Sequence, residues 1–261
     1  YGPYRNFLLK KWAERLVKKS YAAYSRDTAS AKEMNLKCKD KIRVITDMAF
    51  GLPYNKTMYS IDKTRVNVGI NVSALLWDSA YAKDNRFGLN VDYYTYITSL
   101  IEKLLETDKY VVHLIPHVIA KNHYNSAEND LRPCKEVKNR FSDNDKVICA
   151  PAFKTPIEAK SYIANMDIFI GARMHSTIGA VSAGVATIPF AYSKKFKTMF
   201  GNLGYKYVIE ARDMDTDTAL KQTEDWVINY NELEKESLKA KEKTRDKLNL
   251  LKKDISALVN E

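Results

Sequence analysis

Three cysteines in 261 residues, Cys38, Cys134 and Cys149, are spread too widely to form a CxxC pair. That spacing argues against a structural zinc site and against a disulfide framework, and a reducing cytoplasm is the expected compartment. No apolar run reaches the ~18 residues needed to span a bilayer, and no signal-peptide pattern opens the chain. No metal-ligand cluster, zinc-finger spacing or aromatic RNA-binding signature is present, so neither a metal nor nucleic acid is expected as a partner. Negative charge is scarce in one region only. Residues 1–65 hold 15 Lys+Arg against 6 Asp+Glu, whereas residues 66–261 hold 27 against 26, so the net charge of +10 sits almost wholly in the first quarter. Such a patch suits an acidic substrate, anionic lipid or nucleic acid, or it is only a solvated helix face.

Hydrophobic residues make up 45% of the chain, enough for a packed core. Residues 5–19 read as an amphipathic helix, with Leu8, Leu9, Trp12, Ala13 and Leu16 on one face. That face can touch an anionic membrane or cover the helix's own sheet, and the second is expected. Tyr21 to Tyr24 and Ile42 to Thr46 read as strands, with a brief helix between them ending near Asn35. Gly51 to Lys63 reads as a linker. Beyond it, strands at Val66 to Val72, Tyr110 to Ile115, Val147 to Cys149, Asp167 to Ile170, Ala186 to Phe190 and Tyr207 to Glu210 alternate with helices. Alternation of this kind predicts an α/β fold with a parallel sheet covered on both faces. From about residue 215 the chain is helical, and Leu248, Leu251, Ile255 and Leu258 make an apolar stripe for packing.

The most informative stretch is Gly171 to Leu203, GARMHSTIGAVSAGVATIPFAYSKKFKTMFGNL. A short buried strand ends in Gly171, and Arg173 and His175 follow at once. A small-residue helix comes next, then a strand ending at Tyr192, then Lys194 and Lys195. Open α/β sheets bind ligands outside the carboxyl ends of their strands. Arginine, histidine and lysine there point to an anion that is also to be protonated. Arginine grips forked anions bidentately, and histidine moves protons near neutral pH. His117 follows a proline at another strand end, and either binds a second substrate or shapes a turn. Asn71 and Ser73 end the strand that opens the second half, and either face the cleft or cap the next segment. His113 lies inside a strand and reads as packing.

Taken together, Gly171, Arg173, His175, Gly184, Tyr192, Lys195 and Leu203-Gly204 resemble the signature region of polysaccharide pyruvyl transferases. Val68 to Ser73, Ile115-Pro116-His117 with Asn129-Asp130, Gly2-Pro3, Arg26-Asp27 with Ser30, and Asp47 with Ala49-Phe50 fit the same pattern in order. Thr198 stands where a small residue is usual in that family, so a differently shaped loop after Lys195 is expected. The resemblance implies a glycosyltransferase-B-like fold of two Rossmann-like domains, the first truncated at its amino terminus. The expected divisions are residues 1–60 for the incomplete first domain, 61–230 for the second and 231–261 for a packing helix. It implies transfer of the enolpyruvyl group of phosphoenolpyruvate onto a sugar of a bacterial capsular, exopolysaccharide or cell-wall precursor, giving a pyruvate ketal and phosphate. His175 and Arg173 would be catalytic. Arg173, Lys195, Tyr192, His117, Asn71 and Ser73 would bind substrates, with no cofactor beyond the donor. The acceptor would be a sugar or lipid-linked oligosaccharide, reached at the inner face of the cytoplasmic membrane. A sugar-nucleotide glycosyltransferase of the same fold, and a non-catalytic module using residues 1–65, are the alternatives.

Overall fold

The computed structural model describes residues 6–35, 41–81, 85–120 and 128–259. Gly2-Pro3, Cys38 and His123 lie outside the described residues. The chain opens with α1 (Phe7–Lys19), β1 (Ala23–Ser25), α2 (Thr28–Asn35) and β2 (Ile42–Val44). Asn6 starts α1 by accepting hydrogen bonds from Leu8 and Leu9 through its side chain. β1 and β2 pair in parallel as a sheet of two strands. Two 3-10 turns, Met48–Gly51 and Lys56–Met58, carry the chain across the predicted linker.

The second unit runs β3 (Val66–Asn71), α3 (Ala74–Tyr81), α4 (Tyr93–Leu105), β4 (Tyr110–Leu114), α5 (Leu131–Arg140), β5 (Val147–Cys149), α6 (Pro156–Ile163), β6 (Ile168–Gly171), α7 (Met174–Ala183), β7 (Ala186–Ala191), α8 (Lys194–Leu203), β8 (Ile209–Glu210), α9 (Thr216–Ile228) and α10 (Tyr230–Val259). Its six strands lie in the order β5-β4-β3-β6-β7-β8, and all neighbours are parallel. Counted from β3, this is the doubly wound dinucleotide-fold order, third-second-first-fourth-fifth-sixth. The strands are nearly continuous apolar runs because helices cover both faces. All six residues of β7 are buried, and so are five of the six in β3. Local signals set the helix ends. Thr155 caps α6, with Pro156 at the first position. α7 closes on Gly184, whose φ of 86° lies in the left-handed region that glycine adopts without strain. α10 lies close against β7, and its buried stripe has three small residues, Ser237, Ala240 and Thr244, between Leu233 on one side and Leu248 and Leu251 on the other.

Four expectations change. The apolar face predicted for α1 is mostly exposed, at Leu8, Leu9, Trp12 and Leu16, and the helix covers its own sheet through a neighbouring face instead, with Val17 and Ala13 clustered with Ile42 of β2, Ala23 of β1 and Ala31. The segment after Lys195 is helix α8, so Thr198 sits inside a helix rather than a loop. α3 carries no expected element because ALLWDSAY is apolar on too many sides to show a period. The stripe on α10 is buried through Leu251 but opens at Ile255, which is exposed.

Candidate functional site

In a doubly wound sheet the crevice opens between the two strands whose connections leave in opposite directions. Here those strands are β3 and β6, paired with Asn71 opposite Gly171 at their carboxyl ends. A side chain at position 171 would place its Cβ 2.6 Å from the Phe169 ring and 2.7 Å from the Thr177 methyl, so this close turn requires glycine. Two residues later Arg173 leads into α7.

Arg173 and Asp130 form a buried ion pair at this point. The guanidinium donates from Nη2 to Asp130 Oδ1 at 2.8 Å and to the Glu128 carbonyl at 2.9 Å, and from Nε to both Asp130 oxygens at 3.3 Å. Asp130 also accepts the backbone N–H groups of Ala74 at 2.9 Å, Val118 at 3.0 Å and His117 at 3.2 Å. Asn71 completes the knot. Its amide donates to the Ile115 carbonyl at 3.0 Å, and its oxygen accepts the Arg173 N–H at 2.9 Å. A buried carboxylate is tolerable only when its oxygens are satisfied in this way. Arg173, assigned from sequence to the donor, therefore spends Nε and Nη2 holding three loops together. Only Nη1 makes no hydrogen bond among the described residues. Asn71 is likewise a fixture of this knot and not a cleft residue.

His175 is the second residue of α7, and its side chain is 55% exposed. Its Nε2 stands 3.8 Å from Oδ2 of Asp47. Asp47 ends the β2 segment, caps the following turn by accepting the Ala49 N–H at 3.0 Å, and pairs with Arg26 Nη1 at 2.8 Å. His175, the Ala49 N–H and Arg26 together hold the Asp47 carboxyl at about 2 against the cost of its burial. Arg26 and Asp47 lie just past β1 and β2, where the strand-end rule places ligands. The sequence pattern contains both residues but signals a role for neither, although their place just past two strand ends points to one.

Two cavities of about 680 Å³ flank the first turn of α7. One is lined by Met174, Lys195, Arg26, Ser25, Ser30 and Thr198. The other has His175 and His117 in its wall together with Leu52, Ile163, Leu248 and Leu251. Lys195 is exposed at the start of α8. The buried Nδ1 of His117 has no hydrogen-bond partner among the described residues. Burial, with His175 and Arg173 nearby, pushes this imidazole down to about 4 despite the neighbouring Asp130 carboxylate. Tyr192 is half-buried between the rings of Phe87 and Phe196, at centroid distances of 5.3 and 5.6 Å, and packs rather than lining either cavity. The Ser73 N–H donates to the Tyr93 hydroxyl at 3.1 Å, while the buried Ser73 Oγ has no partner among the described residues. The fold thus brings Arg26, Asp47, His117, His175 and Lys195 around one helix end, and leaves Tyr192, Asn71 and Ser73 in the packing. Among the described residues no group of three His, Cys, Asp or Glu side chains is placed to hold a metal ion.

The polysaccharide pyruvyl transferase family profile matches residues 1–194. The chain belongs to this family. Solved structures with the same fold include a Listeria monocytogenes protein provisionally assigned as a UDP-N-acetylglucosamine 2-epimerase, with a TM-score of 0.60 at 10% identity over 99% of this chain and 64% of that one. They also include HepE from Anabaena in complex with UDP and glucose, with a TM-score of 0.54 at 7% identity over 97% and 66%. WaaG, a glycosyltransferase of lipopolysaccharide biosynthesis, has a TM-score of 0.50 at 9% identity over 85% and 58%. At such identities the likeness is one of fold, and that fold is the expected glycosyltransferase-B type. The chain spans 64% of the first of these proteins. No curated protein matches the sequence. Among the described residues no helix is long and apolar enough to cross a membrane.

Proposed function

We propose that this family member transfers the enolpyruvyl group of phosphoenolpyruvate to two hydroxyls of a sugar, forming a cyclic ketal and releasing phosphate. The carrying observation is the pair of cations, Arg26 and Lys195, that lines the cavity on one side of the first turn of α7, with the exposed His175 in the wall of the other cavity, 3.8 Å from the Asp47 carboxylate that Arg26 pairs with. The donor carries a carboxylate and a phosphate. Guanidinium groups suit both by geometry, and an ammonium suits phosphate as a point charge.

The chemistry asks for a proton on the vinyl carbon, giving an oxocarbenium-like centre that a hydroxyl attacks. His175, whose Nε2 stands 3.8 Å from the Asp47 carboxylate, delivers that proton. Lys195 and Arg26 stabilise the departing phosphate. This reaction draws on no cofactor besides the donor. The acceptor is a sugar, free or lipid-linked, of a bacterial surface polysaccharide made at the cytoplasmic face of the membrane. The exposed ridge of α1, flanked by Lys11, Arg15, Lys18 and Lys19, is the surface that would touch anionic lipid there.

The deciding measurement is phosphate release from phosphoenolpyruvate across a panel of acceptor sugars. His175→Ala should lower kcat by roughly 10²–10⁴-fold, with KM for phosphoenolpyruvate nearly unchanged. Release of a nucleoside diphosphate from a sugar nucleotide, without phosphate release from phosphoenolpyruvate, would replace this reading with a glycosyltransferase.

A further inference from the structure

Among the described residues are two neutral, desolvated histidines that the fold treats in opposite ways. His113, inside β4, is 2% exposed, and both of its ring nitrogens are used: Nδ1 meets the Tyr162 hydroxyl at 2.8 Å and Nε2 meets Asn67 Oδ1 at 2.8 Å. This is an imidazole satisfied as part of the packing. His117, three residues past the end of the same strand, is anchored only through its backbone N–H, which donates to Asp130. Neither of its ring nitrogens has a hydrogen-bond partner among the described residues, and Nδ1 is buried in that state. A buried polar atom without a partner is destabilising. Such atoms cluster where a ligand or a reaction supplies the missing partner. His117 shares its cavity wall with His175.

We infer that His117 is the second proton-transfer residue of the site, taking the proton of the acceptor hydroxyl that attacks the pyruvyl carbon. The inference rests on the proposed transfer reaction and extends it. His175 gives its proton to C3 of the donor, and the C2=C3 double bond supplies the electrons of the new C–H bond. The hydroxyl oxygen bonds to C2, and its proton passes to the neutral imidazole of His117. In the second half, phosphate leaves with the C2–O electron pair and takes the proton from His117. The second hydroxyl then bonds to C2 and returns its proton to His175, so both histidines end as they began. A weak base is sufficient, because a hydroxyl bonded to a cationic carbon is strongly acidic. Neutrality matters more than basicity at this position, and burial beside Arg173 and His175 maintains it.

The test compares His117→Ala with His113→Ala by phosphate release and thermal unfolding. For His117→Ala the expected result is a kcat loss of about 10²–10³-fold, KM for phosphoenolpyruvate within threefold, and Tm unchanged or raised because no hydrogen bond is lost. Added imidazole should restore part of the activity. His113→Ala should instead lower Tm while keeping kcat per folded molecule. Wild-type kcat in His117→Ala would overturn the inference, as would activity lost in step with Tm. Lost kcat that imidazole does not restore would make His117 a contact rather than a base, and overturns it too. Absence of phosphate release by the wild-type chain would sink the proposed reaction itself, a result that can be told apart from each of these.

Discussion

The two parallel sheets of this chain are finished to different degrees. The six-stranded sheet is covered on both faces, and its strands β3, β6 and β7 are almost wholly buried. The β1–β2 sheet has two strands of three residues, with the burial of one strand falling away after Ile42. Its apolar cluster is small, Val17, Ala31 and Ile42 with Ala13 and Ala23 beside them. Parallel sheets are stable when both faces are covered, so stiffness in this molecule belongs to the second unit. The site joins the two: His175 and Lys195 stand on the finished unit, and Arg26 and Asp47 on the slight one. Chemistry placed on rigid elements keeps its geometry, while a partner carried on a lighter element can move toward it.

The largest effect that sharpens this contrast comes from the two arginines. Arg173→Ala leaves the fully buried Asp130 carboxylate without its cation and should cost about 3–5 kcal/mol in urea unfolding. Arg26 is 44% exposed in its pair with Asp47, and Arg26→Ala should cost about 1 kcal/mol or less. Equal costs would mean that the first unit is as tightly built as the second. The same pair of variants separates stability from function, because Arg26→Ala should weaken phosphoenolpyruvate binding while leaving the fold intact.

Acid should act next, and it should act on the second unit. His113 is pushed by burial down to about 4, below its ordinary 6.5. The unfolded chain therefore binds more protons below pH 6.5. Stability from the neutral imidazole is complete above that value and is lost as pH falls toward 4, on the order of 3 kcal/mol at pH 4. His117 contributes in the same direction and window. Asp47, held at about 2, adds its loss only as pH drops below its ordinary value of 3.8. His113→Gln should remove about half of the decline between pH 6.5 and 4, measured as the urea midpoint against pH. A decline unchanged in His113→Gln would place the acid sensitivity elsewhere.

What could be read from the sequence follows the same division. Strands buried on both faces announce themselves as short apolar runs, and β7, predicted over Ala186 to Phe190, runs over Ala186–Ala191 with every residue buried. Pro156 after Thr155 marked α6, and the Gly171 turn marked the strand end that carries Arg173 and His175. Helix α8 left a signal that the family pattern masked: Phe196, Met199, Phe200 and Leu203 sit at helical spacing and are buried. The role of Arg173 was not legible, because its partner Asp130 is 43 residues away and no local pattern pairs them. Asp47 was hidden for the same reason, since the contact with His175 crosses from one unit to the other.

The smallest expected effect probes the lighter unit directly. Leu8, Trp12 and Leu16 follow one another at four-residue spacing along α1, with Leu9 beside them, and all four are about half exposed or more. Their face points away from the Val17 contact that holds the helix down. Replacing Leu8, Trp12 and Leu16 together by Gln keeps helix propensity close to that of Leu and removes only surface apolar area. The change in unfolding free energy should stay within about 0.5 kcal/mol, as for surface sites in general. Binding to phosphatidylglycerol vesicles, read by sedimentation, should fall in the same variant, while phosphatidylcholine vesicles should bind neither protein. A loss of 2 kcal/mol or more, far beyond the surface range, would show instead that the ridge is packed in solution. The basic residues Lys11, Arg15, Lys18 and Lys19 would then be solvated flanks of a protein contact rather than the edge of a lipid contact.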